Sequence, residues 1–151
     1  MKLGAALREA HEAEAELAGR LLEVGERHQA EHDVFHLTRA LRGWSQEHVR
    51  RLAEQGRRHG LELDPGASST GAGPAEGRRS EPSLALLDDL RDLHLAAARA
   101  SLAWTVLGQG AQAVGDGEVL ATATACHPQT IRILEWTVQK TKDAAPQALA
   151  S

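Results

Sequence analysis

Four stretches of this chain repeat apolar residues every three or four positions, a period that fits the α-helix and not the strand. Leu3, Leu7, Ala10, Glu14, Leu17, Leu21 and Val24 form the first stripe. Val34, Leu37, Leu41, Trp44, His48, Leu52 and Gln55 form the second. Leu87, Leu90, His94, Ala97, Ser101, Trp104 and Gly108 form the third. The fourth runs from Val119 or Leu120 through Ala123, His127, Thr130, Leu134 and Thr137. Ala and Leu, both strong helix formers, dominate, and aromatics are only 3% of the chain. A β-sandwich or barrel would want more aromatic and β-branched residues.

Breaks between the stripes set the organisation. Gly25 and the polar run that follows interrupt the first, and Asp33 is the expected N-cap of the second helix. Ser80 or Ser83 is the expected cap of the third, with Pro82 in its first turn. Gly115, Asp116 and Gly117 mark the last reversal. Pro128 sits inside the fourth stripe, where it predicts either a kink or a new helix start. The tail around Pro146 is expected to fray. Prolines are absent before Pro65; Pro65, Pro74 and Pro82 then follow in one stretch, the first two between Gly60 and Ser80. That segment, also rich in Gly and Ser, predicts a flexible inter-hairpin loop at 60–80, with Arg78 or Arg79 cut first by a protease. The fold class is therefore all-α: one domain over 1–151, a four-helix bundle of two helical hairpins joined by a long loop.

The loop's length bears on topology. Antiparallel neighbours need about 2–8 connecting residues, whereas Gly60–Ser80 supplies 21. Extended, these reach ~40 Å, enough to run back along the bundle. A long crossover is favoured over an up-down-up-down order. Hairpin register then places candidate residues. With the first reversal near Ala30, Glu14 and His48 are level; with the second near Asp116, His127 is level with Trp104 and His94 with Thr137. In a crossover bundle His127 joins the Glu14 and His48 level; in the simple order His94 does.

A charged group on a core face is costly unless paired or bound to metal. Glu14, His48 and His127 are the candidate metal ligands, and imidazole with carboxylate suits non-haem Fe, Mn or Zn. The alternative is a buried Glu14–His48 hydrogen-bonded pair with no metal. His28, His32 and His36 recur every four residues, but the turn expected there separates them. Cys126 reads as a small core residue. Asp88, Asp89 and Asp92 read as complements to a helix dipole, and the Arg residues that end the second helix as a solvated face. No activated Ser or Cys constellation is visible, which speaks against a nucleophilic enzyme.

Two helical hairpins, a long middle crossover and acid or His residues on the inner stripes resemble the ferritin-like superfamily. The resemblance covers nearly the whole chain and implies two non-haem metals at mid-bundle. Glu14 is the one residue that matches a family ligand in placement. The function expected is thus a ferritin-like bundle holding a non-haem metal ion in its core. The alternative is a metal-free structural or interaction bundle that self-associates as a homo-oligomer.

Charge and cysteine content bound the partners. The net charge of −4 leaves no basic footprint for nucleic acid. No run approaches ~20 apolar residues, so no membrane span is expected. One cysteine fits a reducing compartment, and the N-terminus turns acidic too early for a secretory signal; a cytoplasmic location is expected.

Overall fold

The computed structural model describes residues 2–69 and 78–150. Four helices account for its architecture: α1 (Leu3–Arg27), α2 (His32–Arg58), α3 (Pro82–Val114) and α4 (Gly117–Ala150). No strand occurs among the described residues. The protein is an all-α four-helix bundle.

Every member of the first stripe is buried, so α1 turns one continuous face to the core. In α2, Val34, Leu41, His48 and Leu52 point inward, but Leu37 is 37% exposed and Thr38 takes the inner place. Thr38 can do so because its hydroxyl donates to Val34 O at 2.7 Å, which satisfies it without water. Opposite stands Gly25: a Cβ built there would lie 2.6 Å from Thr38 Oγ1. The close approach of α1 and α2 at this point therefore needs a glycine. Gly25→Ala is expected to lose about 1–3 kcal/mol through overpacking, although alanine gains ~1 kcal/mol in helix propensity. A urea midpoint at or above the parent's would refute that contact.

Helix ends differ in detail from expectation. Glu31, with no side-chain bond, holds the N-cap position of α2. Asp33 lies in the first turn and pairs with Lys140 of α4 at 2.6 Å. At α3 the cap is Glu81, whose carboxylate accepts from the backbone of Ser83 and Leu84. A carboxylate reaches these orphan N–H groups as a serine hydroxyl would, and Pro82 behind it has no N–H to satisfy. Helix α3 runs on through Gly108 and Gly110 to Val114, and Gly115 ends it in the left-handed region at φ 75°. Helix α4 continues through Pro128 and Pro146 to Ala150. Its last turns have support, since Ala144 packs against the core and Ala148 is buried.

Helix α1 packs on α2 and α3, and α4 packs on α3 and α2; the diagonal pairs make no close backbone approach. Residue pairs give the directions. Arg27 meets Asp89 and Glu14 meets Trp104, so α1 and α3 are antiparallel. Asp33 meets Lys140, His48 meets Gln129 and Arg58 meets Asp116, so α2 and α4 are antiparallel. Helix α2 thus ends beside the α3–α4 reversal, whereas α3 begins beside the end of α1.

Residues 61–69 lie along α1. Leu61 rests on Gly4, His11 Nε2 donates to Asp64 O at 2.7 Å, and Ser69 N donates to Ala15 O at 3.0 Å. Of the loop expected at 60–80, residues 70–77 lie outside the described residues.

Candidate functional site

All four helices converge on one carboxylate. Glu14, midway along α1, is fully buried. Its Oε2 accepts from Trp104 Nε1 of α3 at 2.7 Å, from Thr130 Oγ1 of α4 at 2.7 Å and from His48 Nδ1 of α2 at 3.1 Å. On its other side His48 donates from Nε2 to the amide oxygen of Gln129 at 2.7 Å. The Trp104 indole meets the His48 ring edge-on, with centroids 5.9 Å apart. Stripe spacing explains the convergence: Glu14, His48, Trp104 and Thr130 each occupy a core-facing position on their own helix.

The electrostatics follow from these bonds. Burial alone pushes the Glu14 carboxyl up, but the hydrogen bond and charge of His48, with the Thr130 and Trp104 donors, bring it below its ordinary range. Burial pulls His48 down, and Glu14 more than reverses this, so the imidazole titrates above its ordinary value. Both ring nitrogens donate to oxygen, as an imidazolium would. The centre is a buried ion pair.

The remaining sequence candidates lie elsewhere. His127 is half-buried and shares a 2.9 Å hydrogen bond between its Nε2 and Ser101 Oγ, outside the Glu14–His48 bonds. Burial lowers its pKa, with the Glu14 charge acting weakly against this. His94 Nδ1 pairs with Thr137 Oγ1 at 2.9 Å, ten residues and ~15 Å along α3 from Trp104. The His94–Thr137 rung matches the hairpin register read from the sequence, whereas His127 bonds Ser101, about one turn from the Trp104 that the register set beside it. His32 and His36 stack on one another at the start of α2. Cys126 is buried, and burial pushes its thiol up to about 11.

Periodicity missed two partners in the centre. Gln129 lies outside the α4 stripe, and Trp104 lies on the α3 stripe with nothing in the spacing to mark it as a hydrogen-bond donor. A buried indole needs an acceptor for its N–H, and that requirement was the available signal for Trp104.

A second buried cluster sits where α1 ends and α3 begins. Asp89 is buried, and its carboxylate accepts from His28 Nε2 at 2.6 Å, Arg27 Nε at 3.1 Å and Arg78 Nε at 3.0 Å. Asp88 accepts from the backbone and side chain of Arg79, each at 2.7 Å. The dipole reading of these aspartates is therefore incomplete: their principal partners are Arg and His side chains from other segments. Burial pushes the Asp89 carboxyl up, but the bonds from His28, Arg27 and Arg78 hold it far below the usual carboxylate range.

The donor set at the centre fits a non-haem metal poorly. Both nitrogens of His48 are engaged, and Glu14 Oε2 already takes three donors. The nearest further groups are an indole, a hydroxyl and an amide, none a strong ligand for Fe, Mn or Zn. Among the described residues no three His, Cys, Asp or Glu side chains come close enough to share a metal ion. No Glu-x-x-His occurs in the sequence.

The class defined by fold and centre is a four-helix protein with a buried carboxylate–imidazole pair. No protein family, curated protein or solved structure matches the chain. No helix among the described residues is long and apolar enough to cross a membrane.

Proposed function

We propose that this chain is a ferritin-like bundle that works as a metal-free interaction module. The hydrogen-bonding of Glu14 carries the reading: at mid-bundle, where the ferritin-like resemblance implies metal ligands, Trp104, Thr130 and His48 already hold the carboxylate. The helix directions support the ferritin-like part, since the pairs at both ends of α2 and α3 fit a connection returning along the bundle. The buried pair then fixes the register of four helices, a use in which polar core groups are well attested.

One observation favours the second reading, a metal ion held by Glu14, His48 and His127. Glu14 Oε1 is buried with no hydrogen-bond partner. Elemental analysis of tag-free protein, before and after chelation, separates the two. The interaction module is expected to contain far less than one metal per chain and to melt at the same temperature with chelator or with added Fe(II), Mn(II) or Zn(II). One equivalent of metal, lost in Glu14→Gln and His48→Gln, would overturn it.

A further inference from the structure

The groove between the last turns of α1 and the first turns of α2 holds a cleft of about 240 Å³. Its inner lining is apolar: Leu21 is buried, Leu22 and Phe35 are half-buried, and Gly25 brings no side chain. Thr38 also lines it, but its hydroxyl is spent on Val34 O at 2.7 Å and Phe35 O at 3.2 Å and has no proton left for a ligand. Charge and polarity enter only at the rim, with Arg39 and Arg42 on α2 facing Glu26 and Gln29 on α1. The two arginines are one turn apart and share a helix face. Among the described residues neither has an ion pair or a hydrogen bond, and Glu26 pairs with neither. Arg50 and Arg58 of the same helix, by contrast, are held by carboxylates.

We infer that this cleft binds a small apolar monocarboxylate, its hydrocarbon part over Leu21, Leu22 and Phe35 and its head group at Arg39 and Arg42. Three features select this class of ligand. First, two cations against one acid leave the rim with a single net positive charge, which suits a monoanion. Both guanidiniums have donors to spare, and their planar fork matches a carboxylate. A cationic ligand would gain Glu26 and meet two arginines. Second, the inner lining offers no free donor or acceptor. A sugar or other polar molecule would give up its bonds to water there without replacement, whereas a hydrocarbon loses none. An apolar pocket with a few convergent polar groups is the usual form of a small-molecule site. Third, the size is right. From Leu21 to Gln29 the cleft follows about 12 Å of α1, and 240 Å³ takes roughly ten to twelve non-hydrogen atoms at interior packing density. An acid of about eight carbons meets both limits. A docked peptide helix would need several more turns of open groove.

The cleft begins about 10 Å along α1 from Glu14, so binding there goes beyond the interaction-module reading and does not depend on it. Isothermal titration of the full chain with sodium octanoate is expected to show one site with a Kd on the order of 100 µM. Arg39→Gln and Arg42→Gln should each weaken it roughly fivefold or more. Their Tm should stay at the parent's, because neither side chain has an internal partner to lose. Glu26→Gln removes the opposing carboxylate and should tighten binding. Arg57→Gln, which deletes an equally unpaired cation at the far end of α2, should leave it unchanged. The uncharged analogue 1-octanol should bind more weakly than octanoate by roughly the same fivefold. In ¹⁵N–¹H spectra octanoate should shift the amide signals of Gly25 and Thr38 and leave those of Gly108 and Gly115 in place. No binding at millimolar octanoate overturns the inference. So does unchanged affinity when both arginines are replaced, or octanol that binds as tightly, because the arginines then do not recognise the head group. Shifts elsewhere with Gly25 silent would place the acid at another site and overturn it equally.

Discussion

Glu14→Ala is expected to cost about 3–5 kcal/mol of folding stability, a fall in Tm on the order of 10 °C for a chain of this length. The magnitude comes from what remains. Removing the carboxylate strands three donors in the core, the Trp104 indole N–H, the Thr130 hydroxyl and the His48 ring. It also leaves His48, 1% exposed, without its counter-charge. The pH dependence distinguishes this from a simple cavity. Glu14 titrates below its ordinary 4.5, so its stabilisation is present above 4.5 and is lost as pH falls through the folded value. His48 titrates above its ordinary 6.5, so its stabilisation is present below 6.5 and is lost as pH rises through the raised value. The gap between parent and variant should be widest between 4.5 and 6.5 and narrow on both sides. Urea midpoints across that range measure it. A gap independent of pH would mean that the pair contributes packing alone.

The fold was legible because four long stripes share one period and the longest connection is compositionally distinct. The Glu14–His48 pairing was legible for a narrower reason: a short hairpin fixes which residues are level, and both lie on core faces. Register gave the His94–Thr137 rung in the same way. What periodicity cannot carry is the identity of a partner on a helix not joined by a short turn. Trp104 and Gln129 reach the centre from α3 and α4, whose placement depends on how the two hairpins dock. Asp89 is the clearest case. Along its own helix it is an acidic residue near the N-terminus, which the dipole reading covers without naming a partner; its three donors, Arg27, His28 and Arg78, come from the end of α1 and from the segment before α3. Leu37 and Thr38 show a related limit. Hydropathy favours the leucine inside, but a threonine bonded to its own helix fits against Gly25, and that contact is invisible along one strip of sequence.

Asp89→Asn is expected to cost about 3 kcal/mol and to loosen the chain ahead of α3. Asp89 is the shared acceptor for Arg27, Arg78 and the buried His28, so it ties the end of α1 and the residues before α3 into one junction. The amide keeps one acceptor oxygen and loses the charge. Arg27 and Arg78 are partly solvated and can turn to water, which keeps the loss below that of a wholly enclosed ion pair. His28 has no such escape. The Asp89 carboxyl lies far below its ordinary 3.8, so its contribution is present above 3.8 and disappears as pH falls through the folded value. Parent and variant should therefore converge in stability only in strong acid. A second readout is local. In the parent the Arg78 guanidinium is held by Asp89, which keeps it from the specificity pocket of trypsin. In Asp89→Asn cleavage after Arg78 should accelerate before any global unfolding is seen by circular dichroism. Equal cleavage rates in the two proteins would show that Arg78 is not held by this carboxylate in solution, and that the junction rests on Arg27 and His28 alone.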